Sequence, residues 1–381
     1  MIYKHVEWDD LRATARIGIF KYGCGAAEFH ATIELNVAFE NTETQYNLLA
    51  EAQQRLTGLY ELKKAKTVWK RFFASDAINQ RQYMRAYSGE ALSVAQQPPL
   101  NGAKASVWLY FVEDAQIHSD SDNNCAIMTR PDYRHFFHTQ LHERGTDIEG
   151  QTGKIFNRYS QSLARYGCSL ERNCIRTWIF VQNVDTQYAG MSAARRKYFE
   201  QEGLTPQTHF IASTGIEGRY VYPDALMTMD AYSIEGISAK QVKYLKAPTH
   251  LNATHEYGVT FERGAAVDYG DRRHIVISGT ASIDNRGQIL HPLDVEKQAA
   301  RCFENIQALL AEADARMADV AYMIVYLRDT ADFAVVKRYL ERHYPTIPVV
   351  MALAPVCRPG WLVEVECMAI KAIDNKMFAD F

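Results

Sequence analysis

The chain has 381 residues, 47% of them hydrophobic, which is enough to bury two or three cores of ordinary domain size. Its formal net charge of -3 is spread without long runs of one sign, which argues against a nucleic-acid-binding stripe or a polybasic membrane anchor. No apolar run reaches membrane-spanning length, and acidic residues stand where a signal peptide needs an apolar core, so we expect a soluble cytoplasmic protein.

The cysteine and histidine patterns give no sign of a disulfide framework or a metal centre. Seven cysteines form an odd set without a Cys-x-x-Cys pair, so reduced thiols in a reducing compartment are expected. His135, His138 and His142 have the spacing of one helical face, but no carboxylate or thiol completes a ligand set. We therefore expect no metal site.

The first third of the chain predicts paired strands followed by a helix and further strands. Residues 14–40 alternate in the manner of strands, with Ile17, Ala31 and Val37 among the apolar positions. The predicted helix is 44–60, and predicted strands are 67–74 and 106–112, with a short helix between them. These elements form a unit predicted to cover residues 1–115.

The same order of elements returns twice after a polar stretch at 118–124, which predicts a linker. The second unit, 125–235, has predicted helices 155–166 and 192–200 and predicted strands 174–181, 210–215 and 225–232. The third unit, 255–375, has predicted strands 275–278, 321–327 and 362–370 and predicted helices 294–313 and 333–343. Asp294 is the expected N-cap of the first of these helices. A period of about one hundred residues predicts an α+β protein of three tandem units.

The last predicted strand, 362–370, carries two carboxylates in an otherwise apolar run. Side chains alternate along a strand, so Glu364 and Glu366 point to the same side. Such a pair on a core strand is costly unless a pocket, a cation or protonation explains it. Cys357 and Arg358 stand just before the strand, and we predict that a site opens there.

The third unit resembles the YjgF/RidA family in the stretch 277–288, followed by 294–298 and 304–306. The resemblance implies a fold of strands packed on helices, in a family of small trimers with ligand sites between subunits. Three tandem units would then imitate that trimer within one chain. The imine-deaminating members bind the substrate carboxylate with an arginine shortly after a Pro-Ala step. Here the matching segment runs from Pro348 to Met351 with Val350 in it, so plain RidA chemistry is not expected.

A closer resemblance is to the chorismatases, which are long relatives of RidA. It is carried by 175–178, Tyr188 with 194–199, 212–216, 278–283, and 356–358 with 362–366, in the same order. The resemblance implies a cofactor-free lyase or hydrolase of secondary metabolism. Its reaction would cleave the enolpyruvyl ether of chorismate to pyruvate and either 3-hydroxybenzoate or a dihydroxycyclohexadiene carboxylate.

The same resemblance implies roles for individual residues. Glu364 matches the proton donor of the family, and Cys357, together with a glycine at the place of Gly215, resembles the branch that forms 3-hydroxybenzoate. The expected substrate-binding residues are Arg176, Arg358, Thr214, Gly215, Ser278, Gly279, Thr280, Tyr198 and Arg219. Structural alternatives stay open: an ion pair for Glu364, a buried thiol for Cys357, and a strand-end bulge at Gly279.

Two other functions stay open. One is a RidA-type imine or enamine hydrolase acting on a different carboxylate, and the other is a catalytically inactive ligand-binding protein of the same fold. In each case the expected partner is a small molecule rather than a nucleic acid or a membrane. The expected assembly is a monomer that imitates a trimer, or a higher homo-oligomer.

Overall fold

The structure, a computed structural model, describes residues 1–36, 40–87 and 89–381. Val37, which the sequence pattern assigned to a strand, lies outside the described residues. The described residues contain three mixed sheets of six strands each, with helices packed against them. The predicted α+β architecture of three RidA-like units is therefore confirmed.

The first unit contains six strands and two helices. They are β1 (Ile2–Trp8), β2 (Ala13–Phe20), β3 (Glu28–Leu35), α1 (Thr42–Thr57), β4 (Ala65–Ala74), the four-residue α2 (Ala77–Gln80), β5 (Ala91–Gln96) and β6 (Ala105–Glu113). The sheet order is β1-β2-β3-β6-β4-β5, and only the β4–β5 pair is parallel. Helix α1 begins after Asn41, whose side chain accepts a hydrogen bond from the Thr44 amide.

The second unit repeats this arrangement. It consists of β7 (Gln116–Asp120), β8 (Cys125–Thr129), β9 (Arg134–His142), α3 (Ile148–Ala164), α4 (Leu170–Asn173), β10 (Cys174–Val181), α5 (Val184–Gln201), β11 (Ala212–Glu217) and β12 (Met227–Glu235). Its order, β7-β8-β9-β12-β10-β11, matches that of the first sheet strand for strand. The strand predicted at 174–181 is confirmed with the same bounds.

The third unit has the same order again, β13-β14-β15-β18-β16-β17. Its elements are β13 (Val242–Leu245), β14 (Gly264–Asp268), β15 (Arg272–Ala281), α6 (Val295–Glu312), β16 (Val320–Leu327), α7 (Phe333–His343), β17 (Val349–Leu353) and β18 (Val363–Ala372). Asp294 caps α6 by accepting from the Lys297 amide at 3.0 Å, as predicted.

Two predictions in the second unit are wrong. The polar stretch 118–124 is not a linker, because β7 extends to Asp120 and pairs with β8, and a short 3-10 helix at 121–123 connects the two strands. The three histidines lie on a strand, β9, rather than on a helix. His135 and His138 are fully buried, bonding the Tyr232 hydroxyl and the Ser162 hydroxyl at 2.8 Å each. The second sheet begins with β7 at Gln116 and the third with β13 at Val242, which are earlier in the chain than residues 125 and 255.

The three sheets meet at three equivalent junctions. In each, one sheet contributes its edge strand that is paired in parallel. This strand forms a backbone hydrogen bond with the loop that precedes the last strand of the next sheet. The Gln96 amide donates to the Arg219 carbonyl at 2.8 Å, and the Glu217 amide donates to the Pro355 carbonyl at 3.1 Å. The third junction closes the ring, where the Leu353 amide donates to the Pro98 carbonyl at 2.8 Å. The single chain thus has pseudo-threefold symmetry.

The inner faces of the sheets form a common core around this pseudo-threefold axis. Trp69 contacts both Trp108 and Trp178, and Tyr322 of the third sheet packs on Trp108 with ring centroids 4.6 Å apart. Each of these rings is at least 95% buried. Because large aromatic side chains bury much apolar area, this cluster fixes the three sheets relative to one another.

Candidate active site

A narrow cavity lies at the junction between the second and third sheets. Strand β11 forms one wall, β15 and the start of β18 form another, and helix α5 and the loop before β18 close the sides. About 40 Å³ of the cavity is open to water. Its polar lining comes mainly from Glu364, Cys357, Thr214 and three arginines.

Glu364 lies at the base of this cavity, near the beginning of β18. Its carboxyl group is buried, with 5% of the residue exposed. Burial, and the Glu366 carboxylate on the same strand face, raise the pKa of Glu364 to about 8, while Arg176 and Arg263 oppose them. A carboxyl group with this pKa is largely protonated at neutral pH and can serve as a general acid.

Gly279 makes room for that carboxyl group. The register between β15 and β18 shifts between Ile277 and Thr280, so a β-bulge places Gly279 directly against Glu364. A Cβ atom at position 279 would clash with Oε1 of Glu364. The bulge that sequence analysis left as a structural alternative is therefore present, and it also shapes the cavity.

Glu366 is held deeper, by bonds from three side chains. It accepts from the Trp178 indole at 2.8 Å, from Arg176 at 2.9 Å, and from the Thr214 hydroxyl. With 1% of the residue exposed, it is sealed from solvent. Glu366 is therefore engaged in structural contacts, and its charge acts on Glu364.

Thr214 connects this buried pair to the cavity wall. Besides donating to Glu366, its Oγ1 accepts from the Gly279 amide at 2.9 Å. Ser278 performs a similar task behind the wall, since its Oγ accepts from the Ser213 amide at 2.9 Å and donates to the Glu262 carbonyl at 2.6 Å. Thr214 thus lines the cavity, whereas Ser278 positions the strand that lines it.

Three arginines contribute positive charge to the lining: Arg195, Arg263 and Arg358. Arg195 is 1% exposed, and its Nη2 has no hydrogen-bond partner among the described residues. Its Nε donates to the Thr260 hydroxyl at 3.2 Å, which fixes the guanidinium plane. Arg358 packs over the Trp361 ring, with its Cζ 4.9 Å from the ring centroid. Guanidinium groups in this setting are suited to holding carboxylates.

Cys357 and Gly215 both lie next to Tyr188. The Tyr188 side chain interacts with both the Cys357 thiol and the Arg195 guanidinium. A Cβ atom at position 215 would come within 3.0 Å of the Tyr188 ring, so a glycine there lets the ring enter the cavity. Burial, aided by Glu364, raises the pKa of Cys357 to about 12, so the thiol stays protonated and neutral.

Several predicted site residues are not in the cavity lining. Arg176 is fully buried in its ion pair with Glu366, and the Thr280 hydroxyl donates to the Ser278 carbonyl. Tyr198 stacks on Phe156 of α3, with ring centroids 5.8 Å apart. Arg219 is exposed on another surface and donates to Asn183 at 3.2 Å. Each side chain is committed to a neighbour that the one-dimensional pattern could not show.

Sequence reasoning also missed residues that do line the cavity, chiefly Arg195, Tyr188 and Arg263. A signal was available for two of them, because Tyr188 and Arg195 are seven residues apart and thus share one face of α5. Arg263 precedes β14 in a loop, and no periodicity marks it. Among the described residues no group of three or more potential metal ligands occurs, and no helix is long and apolar enough to cross a membrane.

Comparisons with known proteins agree with this architecture. The family model described as Endoribonuclease L-PSP matches residues 264–371. A RutC family protein of Pyrococcus abyssi is 33% identical over 100 residues, which are 26% of this chain and 78% of that protein. The 3-aminoacrylate deaminase RutC of Acinetobacter baylyi is 25% identical over 97 residues, 25% of this chain and 77% of that protein.

Among solved structures, a chorismatase crystal structure superposes with a TM-score of 0.64 at 20% sequence identity, covering 80% of this chain and 92% of the chorismatase chain. The resemblance to chorismatases seen in the sequence is thus confirmed at the level of the fold. The match to the L-PSP family model lies in the third unit, which contributes Glu364. By its similarity to the Pyrococcus abyssi protein, the chain belongs to the RutC family.

Proposed function

We propose that the protein is a chorismatase, which cleaves the enolpyruvyl ether of chorismate and releases pyruvate. One observation carries the proposal: a buried carboxyl group, Glu364, whose pKa of about 8 keeps it protonated near neutral pH, shares a cavity with three arginines. The common fold with a chorismatase supports the same function.

The reaction needs an acid that keeps its proton. Protonation of the methylene carbon of the enolpyruvyl group gives an oxocarbenium ion, from which the ether bond breaks. Glu364 is the proton donor in this proposal, because its raised pKa leaves it protonated at the pH at which the reaction must run. The buried Glu366 supports it by making loss of that proton unfavourable.

The substrate is a dianion, and the lining matches its charge. Arg195 has a buried Nη2 with no partner among the described residues, so an anionic group there would satisfy a donor that is otherwise costly to bury. Arg263 and Arg358 supply further positive charge for the second carboxylate. An apolar wall that includes Val259, Phe261 and Ile283 can contact the ring.

Binding requires the cavity to widen. The 40 Å³ open to water is less than a cyclohexadiene with two carboxylates needs. Tyr188 and Arg358 are only partly buried, and we expect their rotamers to change when the substrate enters. In a crystal structure with 3-hydroxybenzoate, we expect these two side chains to have rotamers different from those in the ligand-free structure.

Within this function we propose 3-hydroxybenzoate as the product. Cys357 presents a neutral thiol where an ordered water would be needed for hydrolysis, and Gly215 lets Tyr188 close the same region. Loss of the pyruvyl group with internal rearrangement then conserves all atoms of chorismate in pyruvate and 3-hydroxybenzoate. The hydrolytic alternative consumes one water and gives a dihydroxycyclohexadiene carboxylate.

The direct test is to incubate the purified protein with chorismate and follow pyruvate with lactate dehydrogenase and NADH. We expect pyruvate from the wild-type protein and from Glu296→Gln, an exposed control on α6, but not from Glu364→Gln. Chromatography of the aromatic fraction identifies the second product. Chorismate bound without pyruvate release would instead indicate an inactive ligand-binding protein.

A second candidate is an imine or enamine deaminase, which the similarity to the 3-aminoacrylate deaminase favours. Against it, Val350 occupies the position of the carboxylate-binding arginine and is fully buried. Ammonia release from 3-aminoacrylate, without pyruvate release from chorismate, would support this alternative.

A further inference from the structure

The pseudo-threefold arrangement creates two other positions equivalent to the candidate active site, and they differ in structure. At the junction of the first and second sheets, the side chain of Gln140 occupies the space. Its Nε2 donates to the Leu92 carbonyl at 2.6 Å, and its Oε1 accepts from the Tyr220 hydroxyl at 2.7 Å. This junction is therefore closed by protein atoms.

The junction of the third and first sheets is open. A cleft of about 230 Å³ lies there, between α7 and β17 on one side and β2 and β3 on the other. We call it the second cleft and define it by Arg16, Glu34, Lys337, Leu340, Val349 and Met351. Its place is equivalent to that of the candidate active site, because β17 and β3 correspond in sheet order to β11 and β15.

One wall of the second cleft is apolar. Leu340, Val349 and Met351 are at least 92% buried, and Phe333 extends the same surface. An apolar cavity of about 150 Å³ is large enough to hold benzene, so the second cleft has room for a six-membered ring that carries a polar group. A ring on this wall would remove further apolar area from water.

The opposite wall carries charge. Arg16 lies on β2. Among the described residues, no carboxylate oxygen lies within 4.0 Å of its guanidinium group. Lys337 lies on the facing helix, where Glu341, one turn further along, is 3.9 Å away. Both cations act on Glu34, and burial nevertheless raises the pKa of that carboxyl group. His5 and Glu7 stand at the outer rim, side by side.

We propose that the second cleft binds a small aromatic carboxylate, with its carboxylate on Arg16 and Lys337 and its ring on Leu340 and Met351. The site is separate from the cavity beside Glu364 and does not depend on the reaction proposed there. Arg16 comes from the first unit and Lys337 from the third, so an occupant would join the two ends of the ring of sheets.

The test uses benzoate as the probe and isothermal titration calorimetry as the readout. We expect Arg16→Gln and Lys337→Gln to weaken benzoate binding at least tenfold each, because each variant removes a charge-assisted hydrogen bond. Arg338→Gln is the matched control, being exposed and next to Lys337 on the same helix, and it should bind as the wild type does. Benzamide, which has the same ring without the charge, should bind at least tenfold more weakly than benzoate.

Location is decided by a crystal structure with benzoate. Density for the ring against Leu340 supports the proposal, and density found only beside Glu364 overturns it. Equal benzoate affinity in the wild type and both charge variants also overturns it, as does a lack of benzoate binding at millimolar concentration. The thermal unfolding midpoints of all variants should match, which separates loss of the site from loss of the fold.

Discussion

Replacement of Glu364 by glutamine tests the physical basis of the proposed chemistry independently of any substrate. In the unfolded chain the carboxyl group ionises near its ordinary pKa of 4.5, while in the folded protein burial and Glu366 keep it protonated up to a pKa of about 8. Between these values the folded state binds one more proton than the unfolded state. The free energy of unfolding must therefore fall as the pH rises through this window.

The size of this effect follows from the two pKa values. Each pKa unit corresponds to about 1.4 kcal/mol, so the Glu364 carboxyl group lowers the free energy of unfolding by about 5 kcal/mol between pH 4 and pH 9. Glutamine has nearly the same shape and does not titrate. The wild-type protein should thus lose about 5 kcal/mol relative to Glu364→Gln across that range, with the difference constant above and below it.

Urea unfolding at a series of pH values, followed by tryptophan fluorescence, measures this difference. Glu296→Gln, an exposed substitution on α6, is the control and should run parallel to the wild type. Parallel curves for the wild type and Glu364→Gln would show that the carboxyl group ionises normally in the folded protein. The acid role proposed for Glu364 would then lose its physical basis.

Further predictions concern the groups around this carboxyl. Gly279→Ala should lower kcat on chorismate about 10²-fold, since a Cβ there displaces Glu364, and steady-state pyruvate release measures it. Arg195→Gln should raise KM tenfold or more by removing a buried charge-assisted contact; an unchanged KM would place the substrate elsewhere. Cys357→Ala should shift the product from 3-hydroxybenzoate toward the dihydroxycyclohexadiene carboxylate. An unaltered product ratio would exclude a role of Cys357 in product choice. The rate should fall about tenfold per pH unit above pH 8, as Glu364 loses its proton.

Sequence patterns predicted the fold best where an element buries a single regular face. Helix α6, which buries one apolar face and is capped by Asp294, was predicted to within one residue at each end. The region from β7 to β9 was predicted poorly because its strands carry polar side chains on faces that later become buried. His135 and His138 are accommodated there as neutral rings bonded to hydroxyl groups, which is a tertiary arrangement.

Site residues, too, were predictable only where their signal is visible along the sequence. Glu364 could be identified from sequence because a carboxylate in an apolar strand is costly, and that cost is visible in one dimension. Arg195 and Arg263 enter the cavity from a helix and a loop of different units, so only the packing of the second unit on the third reveals them. Arg176 was expected to contact a ligand because a guanidinium suits a carboxylate. The carboxylate it contacts belongs to Glu366.

The distribution of charge around the pseudo-threefold axis explains why one carboxyl group of the pair retains its proton. Two acids lie deep, Asp230 on β12 and Glu366 on β18, and two arginines match them: Arg71 is 2.9 Å from Asp230, and Arg176 is 2.9 Å from Glu366. Glu366 has a second arginine nearby, because Arg71 lies 3.9 Å from its carboxylate. For Glu364, no cationic nitrogen lies within 4.0 Å among the described residues. A fused chain can vary each unit separately, and strand register puts Ser106 and Thr228 where Glu364 stands in the third unit. The chain therefore has an acid at the position of Glu364 in only one of its three equivalent strands. This acid lies beside a buried carboxylate whose partners are already engaged, and proton retention at Glu364 follows from that asymmetry.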